Sequence, residues 1–347
     1  MIINNRNIGK ESAPYIIAEM SGNHNQSLAR ALEIVDAAAK AGAHAIKLQT
    51  YTADTMTLDI AEGEFFISDK NSLWQGNDLY SLYQKAHTPW DWHEAIMRRA
   101  ASHQMACFSS PFDETAVDFL ESLNMPAYKI ASFESIDLPL IKKVAQTGKP
   151  MIISTGMATL AEIDDAVRTA REHGCKDLAI LKCTSTYPAS PENTNLRTIA
   201  HMQDLFGCEV GLSDHTMGIG ASVAAVAFGA TIIEKHFTLS RAEGGVDADF
   251  SLEPHELSSL VTETERAWLA LGKIQYGPTE AEKKARLRRR SLYIGEDMKS
   301  GDVLTTVNLR RIRPGLGLPP KFFDVLLGKK VDQDVKKGTP VSWDLFN

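Results

Sequence analysis

The chain has 347 residues, long enough for one large domain plus a small one or for two of middling size, and its 44% hydrophobic and 23% charged content is ordinary for a globular protein. A net charge of −7 gives no basic footprint for nucleic acid, and no apolar run approaches a membrane span. The N-terminal Met1-Ile-Ile-Asn-Asn-Arg6 lacks a signal peptide's apolar core, so a cytoplasmic location is expected.

The first predicted strand, Tyr15 to Met20, ends in the polar loop Ser21 to Asn25. Leu28, Ala31, Leu32, Val35, Ala38 and Ala39 then recur at helical spacing up to a stop at Gly42. Ala45 to Thr50 is the second strand. The insert that follows, Tyr51 to about Thr88, carries Trp74, Tyr80 and Tyr83 with little periodicity, and reads as a lid or substrate loop. Helices are expected at Trp90 to Ser102, Glu114 to Leu123, Pro139 to Gln146, Leu160 to Glu172, Leu196 to Leu205, Ala221 to Phe228 and His255 to Leu271. Strands alternate with them at Met105 to Phe112, Ala127 to Phe133, Pro150 to Gly156, Leu178 to Thr184, Val210 to His215 and Thr231 to Phe237.

These strands are nearly continuous apolar runs, the pattern of a parallel sheet covered on both faces. Eight strand–helix repeats argue for a closed (β/α)8 barrel over residues 1–278. An open doubly wound sheet is the alternative, but no Gly-x-Gly-x-x-Gly follows the first strand. A charged linker spans 279–290. From Ser291 to the end, short β-type pieces punctuated by Gly and Pro form a small β-rich domain, 291–347. The basic run Arg286 to Arg290 reads as a solvated or interdomain surface. Cys107, Cys175, Cys183 and Cys208 fit neither a zinc spacing nor a disulfide framework and read as reduced thiols.

Two consecutive strands end in Ser213-Asp-His215 and Glu234-Lys-His236. In a parallel sheet both histidines emerge at one C-terminal edge, a half-site for a divalent metal, although each could simply cap its strand. The other strand ends add Glu19, Lys47, Gln49, Ser110, Lys129, Ser132, Glu134, Ser154 and Ser185. Barrel active sites lie at these ends, and so many polar groups imply a polar ligand. Lysines with hydroxyls suit a phosphate or carboxylate, unless Lys47 and Lys129 merely pair with Glu19 or Glu134. A base such as Glu19, a metal and an anion pocket together suggest carbon–carbon bond chemistry on a carbonyl.

Eight separated motifs extend this. Ile17-Ala-Glu-Met-Ser-Gly-Asn-His24, Ala45-Ile-Lys-Leu-Gln-Thr50, Phe108-Ser-Ser-Pro-Phe112, Tyr128-Lys-Ile-Ala-Ser-Phe-Glu134, Ile153-Ser-Thr-Gly-Met157, Cys183-Thr-Ser-Thr-Tyr-Pro188, Gly211-Leu-Ser-Asp-His215 and Glu234-Lys-His-Phe237 together resemble the sialic acid synthase family. The tail resembles that family's antifreeze-like (SAF) domain, with Arg311-Ile-Arg-Pro-Gly315 at the corresponding place. Ser110, Ala131 and Phe133, with Leu79 to Tyr83, look most like its pseudaminic acid synthases.

The resemblance implies condensation of phosphoenolpyruvate with 2,4-diacetamido-2,4,6-trideoxy-L-altrose and water. It implies His215 and His236 as ligands of Mn²⁺ or Mg²⁺, with Co²⁺ a further candidate, and Glu19 as acid/base. Lys47, Ser110, Lys129, Ser132, Ser154, Ser185 and Ser213 correspond to the phosphoenolpyruvate cradle, and Gln49, Glu134, Tyr187 and Asp247 to sugar contacts. It also implies a domain-swapped homodimer in which Arg313 reaches the neighbouring subunit's sugar. The rival readings are an N-acetylneuraminate or legionaminate synthase, another metal-dependent barrel enzyme, and a non-enzymatic glycan- or ice-binding protein.

Overall fold

Every residue of the strands β3 (Tyr15–Glu19), β5 (Ala106–Pro111), β7 (Met151–Ser154) and β10 (Ile232–His236) is buried, which is why their sequences lack an alternating pattern. They belong to a closed parallel barrel completed by β4 (Ala45–Thr50), β6 (Tyr128–Ile130), β8 (Leu178–Cys183) and β9 (Glu209–Ser213). A computed structural model describes residues 1–70 and 72–346 of the chain; Asn347, the end of the expected C-terminal domain, lies outside them. The chain divides into two compact units, Met1–Gly272 and Lys273–Asn347. The barrel is the first unit, preceded by an antiparallel hairpin of β1 (Ile2–Ile3) and β2 (Arg6–Asn7).

Each barrel strand pairs in parallel with its successor, and β10 pairs with β3, so the sheet has no free edge. Closure sets the register at the C-terminal ends of the strands. His236 lies opposite Glu19, and Glu19 opposite Lys47. Glu234 lies opposite Ser213, and Gln49 opposite Ser110.

The helices of this unit are α1 (Leu28–Ala41), α2 (Ala53–Met56), α3 (Leu79–Ala86), α4 (His93–Ser102), α5 (Glu114–Ser122), α6 (Leu138–Ala145), α7 (Leu160–Glu172), α8 (Arg197–Phe206), α9 (Gly220–Ala227) and α10 (Pro254–Leu271). Local chemistry fixes their ends. Ser27 accepts the Arg30 N–H at the start of α1, and Gly42 ends it in the left-handed region with φ 93°. A reciprocal Thr159–Glu162 capping box opens α7.

The insert is more ordered than its sequence suggests. A bridge joins Phe66 to Asp78, and the Asp78 carboxylate then caps α3 by accepting the Ser81 N–H at 2.7 Å. The β6 strand is shorter than the apolar run, because the chain turns after Ile130, with the Glu134 N–H donating to the Ala131 carbonyl at 3.2 Å.

The second unit holds an antiparallel pair, β11 (Ser291–Ile294) with β12 (Leu309–Ile312), in the register Leu292 to Arg311. Its own small core includes Leu292, Ile294, Leu309, Leu326, Val331 and Val341. The pieces at Val303 and Pro340 contribute only isolated bridges, to Lys330 and Tyr293. Arg286 to Arg290 are exposed. Among the described residues no helix is long and apolar enough to cross a membrane.

Candidate active site

The C-terminal strand ends open into a cavity of about 420 Å³. Its floor is a buried charge network. Lys47 Nζ stands between two carboxylates, 2.7 Å from Glu19 Oε2 and 3.6 Å from Glu234 Oε2. Lys129 Nζ lies 3.6 Å from Glu234 Oε1 and donates to Ser154 Oγ at 2.6 Å. Ser213 Oγ donates to Glu234 Oε1 at 2.9 Å, and Gln49 Nε2 to Glu19 Oε1 at 3.0 Å. Isolated charges at this depth would be prohibitively costly, so each is met by an opposite one.

The two carboxyls are driven apart. Burial pushes both upward, but Glu234 faces both lysines and is held below the usual carboxylate range. Glu19 must share Lys47 with Glu234 and feels that neighbour's charge, so burial prevails and its pKa is raised. Two neighbouring carboxyls whose pKa values are driven in opposite directions are the arrangement from which acid and base roles are read.

Both histidines face the cavity. Their ring centroids are 5.3 Å apart and the planes are inclined by 60°. His215 Nδ1 donates to the Thr184 carbonyl at 3.0 Å; a carbonyl only accepts, so this nitrogen carries a proton. His236 Nδ1 is buried without a hydrogen-bond partner, 3.6 Å from Asp247 Oδ2. Burial, reinforced by the surrounding cationic groups, holds His236 well below the usual range and so in the neutral, ligating form. Two imidazoles, each with Nδ1 engaged by or facing protein oxygen, suit a divalent transition metal. Among the described residues a tighter group of possible ligands, Glu253, His255 and Glu256, sits at the start of α10. Both of those glutamates are already hydrogen-bonded by Arg241, at 2.9 Å to Glu253 and 3.2 Å to Glu256.

Strand alternation sends the neighbours of the histidines the other way. Asp214 and Lys235 form a fully buried ion pair at 3.1 Å, and Lys235 also donates to the carbonyls of Thr216 at 2.5 Å and Gly218 at 2.9 Å. This clamp fixes the backbone from which both imidazoles project.

The facing wall is apolar and comes largely from the insert, with Met56, Ile67, Trp74, Leu79 and Leu82. Trp74 Nε1 donates to the Val246 carbonyl at 2.9 Å, tying the insert to the loop after β10. The Tyr187 ring lies 5.8 Å from Trp74 and 4.6 Å from His215, joining wall to floor.

Of the residues singled out in the sequence, Glu19, Ser110 and Ser185 are not among those lining the cavity, whereas Lys47, Gln49, Lys129, Ser132, Glu134, Ser154, Tyr187, Ser213, His215, His236 and Asp247 are. Glu19 lies just beneath, paired to Lys47. Ser110 Oγ accepts from Lys47 at 3.3 Å, and Ser185 Oγ sits 3.8 Å from Cys183 Sγ. Ser132 Oγ accepts the Gly156 N–H at 3.1 Å, and a Cβ at Gly156 would come 2.1 Å from Ser185 Oγ, so only glycine fits there. Glu134 Oε2 is buried without a partner, and burial pushes its carboxyl up to about 7. Arg313 belongs to the second unit and is exposed.

The sequence argument gave Glu234 no role, yet this carboxylate links both lysines; its signal is the two-residue spacing to His236, which puts both side chains on one strand face. Cys183, read only as a structural thiol, also lines the cavity; burial would raise its pKa, but the nearby His215 brings it down to about 6. Ser21, in the loop after β3, donates to Asp247, and nothing in the sequence announced that contact.

Residues 34–276 match the NeuB family, and residues 289–347 match the SAF domain. The pseudaminic acid synthase of Campylobacter jejuni is 44% identical over 332 residues, covering 96% of each chain. The N,N'-diacetyllegionaminic acid synthase of Legionella pneumophila is 34% identical over 341 residues, covering 97% of this chain and 95% of its own. In three dimensions the N-acetylneuraminic acid (sialic acid) synthetase of Leptospira borgpetersenii superposes with a TM-score of 0.73 at 31% identity, over 82% of this chain and 94% of that one. A buried lysine–glutamate floor beneath paired histidines, in a barrel followed by a SAF domain, thus agrees with near full-length kinship: the chain belongs to the NeuB family.

Proposed function

We propose that the chain is a pseudaminic acid synthase, a transferase that condenses phosphoenolpyruvate with 2,4-diacetamido-2,4,6-trideoxy-L-altrose and water to give pseudaminic acid and phosphate. The observation that carries the reading is the two-faced cavity, a cationic, hydroxyl-lined floor opposite an apolar wall. Lys47 and Lys129, flanked by Ser154 and Ser213, bring two cationic side chains and short hydroxyl donors to one place, which suits an anionic phosphate or carboxylate. The apolar wall suits a sugar with a methyl group where a hydroxymethyl would otherwise stand. The higher identity to the pseudaminic acid synthase than to the legionaminic acid synthase favours the altro configuration.

In the reaction carbon 3 of phosphoenolpyruvate bonds to the sugar aldehyde carbon, and the aldehyde oxygen becomes a hydroxyl. Water adds at the cationic carbon 2, and phosphate leaves with cleavage of its C–O bond. Lys47 and Lys129, with Ser132, Ser154 and Ser213, would hold the phosphoenolpyruvate, while Ser110 would steady Lys47. Ser185 would act from beside Cys183. Glu19 would exchange a proton with the attacking water or steady the cation. Gln49, Glu134, Tyr187 and Asp247 would orient the sugar. His215 and His236 would hold a divalent cation, Mn²⁺, Mg²⁺ or Co²⁺, which when bound supplies Lewis-acid polarisation of the aldehyde oxygen. In a homodimer each copy would lend its Arg313 to the sugar of the other, and the enzyme would work in the cytoplasm.

The test is phosphate release from phosphoenolpyruvate with the altrose-configured sugar, the legionaminic acid precursor and N-acetylmannosamine in parallel. The first should be used at least tenfold faster. Faster turnover of either other sugar overturns the substrate assignment, and no phosphate with any of the three overturns the enzyme class.

A further inference from the structure

Ser21 occupies a backbone conformation that L-residues avoid. Its φ is +47°, in the left-handed region, two residues beyond Glu19, where the strand ends. Glycine would take this conformation without strain. The chain does place a glycine next door, at Gly22, where φ is ordinary and the constraint is space: a Cβ there would come 3.2 Å from the Ala86 backbone. Steric demand therefore explains Gly22 but not a serine at 21. A strained non-glycine residue beside an active site points to a use for its side chain.

The side chain is fully employed. Ser21 is 3% exposed, lines the cavity and donates its hydroxyl to Asp247 Oδ2, a contact between residues separated by 226 positions. The same Oδ2 is 3.6 Å from His236 Nδ1, the buried nitrogen that has no hydrogen-bond partner. Asp247 Oδ2 thus stands between a hydroxyl and an imidazole.

We infer that Ser21 is a positioning residue: it pins the Asp247 carboxylate so that its negative oxygen faces His236 Nδ1, which keeps the proton on that nitrogen and leaves Nε2 free toward the cavity. At this separation, in a site shielded from water, a carboxylate attracts an N–H dipole strongly enough to choose the tautomer. Outer partners of this kind tune a ligating histidine without touching the metal. The strained serine is then retained because a glycine, though easier on the backbone, has no hydroxyl. The inference rests on reading His236 as a metal-holding side chain, but its first readout needs no metal.

The experiment compares the full-length protein with Ser21→Gly, Asp247→Asn and the double variant. Nitrogen-15 shifts of the His236 ring, assigned by comparison with His236→Gln, should report the Nδ1–H tautomer in the metal-free wild type and a tautomer mixture in Ser21→Gly. Titration with Mn²⁺, followed by electron paramagnetic resonance, should give about tenfold weaker binding in Ser21→Gly. In the Asp247→Asn background, Ser21→Gly should add little, because the serine acts through that carboxylate. A wild-type Nε2–H tautomer, an unchanged tautomer in Ser21→Gly, or additive losses in the double variant would each overturn the inference. Failure of the substrate reading is recognised separately, by the absence of phosphate release while the tautomer result stands.

Discussion

The floor and the wall of the cavity face the same space but are built on different terms. Floor residues sit on barrel strands whose register is locked on both sides, and their charges are buried and paired at 2.7 to 3.6 Å. The wall hangs on a connection between β4 and α4, held by bonds such as Trp74 to Val246 and the Asp78 cap of α3. Chemistry that tolerates little displacement sits on the rigid part. On the proposed reading, choice among sugars, worth a smaller free energy, would fall to side chains that can vary without disturbing the barrel.

If this division is right, changes to the floor should destroy turnover and changes to the wall should redirect it. Glu19→Gln has the largest expected effect. It keeps the shape and the hydrogen-bond capacity toward Gln49 but loses the exchangeable proton, so kcat should fall about a thousandfold while the thermal midpoint moves little. Retention of activity within tenfold would remove Glu19 from the chemistry.

Glu134 tests the boundary between the two regions. Its carboxyl is raised from 4.5 to about 7 in the folded protein, because burial disfavours the charge. The unfolded chain therefore releases this proton earlier. The resulting contribution to stability is full below about pH 4.5 and is lost as pH rises through about 7. Glu134→Gln does not titrate, so its advantage over the wild type should open across that window and level off on the order of 3 kcal/mol above it. Denaturant midpoints of both proteins from pH 5 to pH 8 measure the gap, and parallel curves would mean that Glu134 is solvated.

The smallest effect belongs to the wall. Leu82→Ser should lower the kcat/KM preference for the 6-deoxy sugar over its 6-hydroxy counterpart about tenfold, with the KM for phosphoenolpyruvate unchanged. An unaltered preference would move the methyl-binding surface away from Leu82, and a changed phosphoenolpyruvate KM would blur the distinction between floor and wall.

Much of the floor could be read from the chain because strand ends of a barrel converge by geometry. Lys47, Lys129, Ser154, Ser213, His215 and His236 each close an apolar run, and once the runs form a barrel their side chains have one place to meet. The wall was less legible. Its apolar residues face a ligand cavity rather than a core, so they follow no single period, and an eight-residue helix such as α3 leaves too short a record to be recognised. The N-terminal hairpin, of two residues per strand, is shorter still.

By itself, then, the sequence determined the alternation of strands and helices, the small second unit and the kinds of group at the barrel mouth, because burial and periodicity are local properties of the chain. Tertiary structure decided how those groups are paired. Glu19 meets His236 in register only because β10 closes on β3, Lys47 is divided between Glu19 and Glu234, and Ser21 reaches Asp247 across the closure. Which carboxyl is pushed up and which is held down depends on distances of a few ångströms in a medium that screens weakly, and those distances exist only after the barrel has shut.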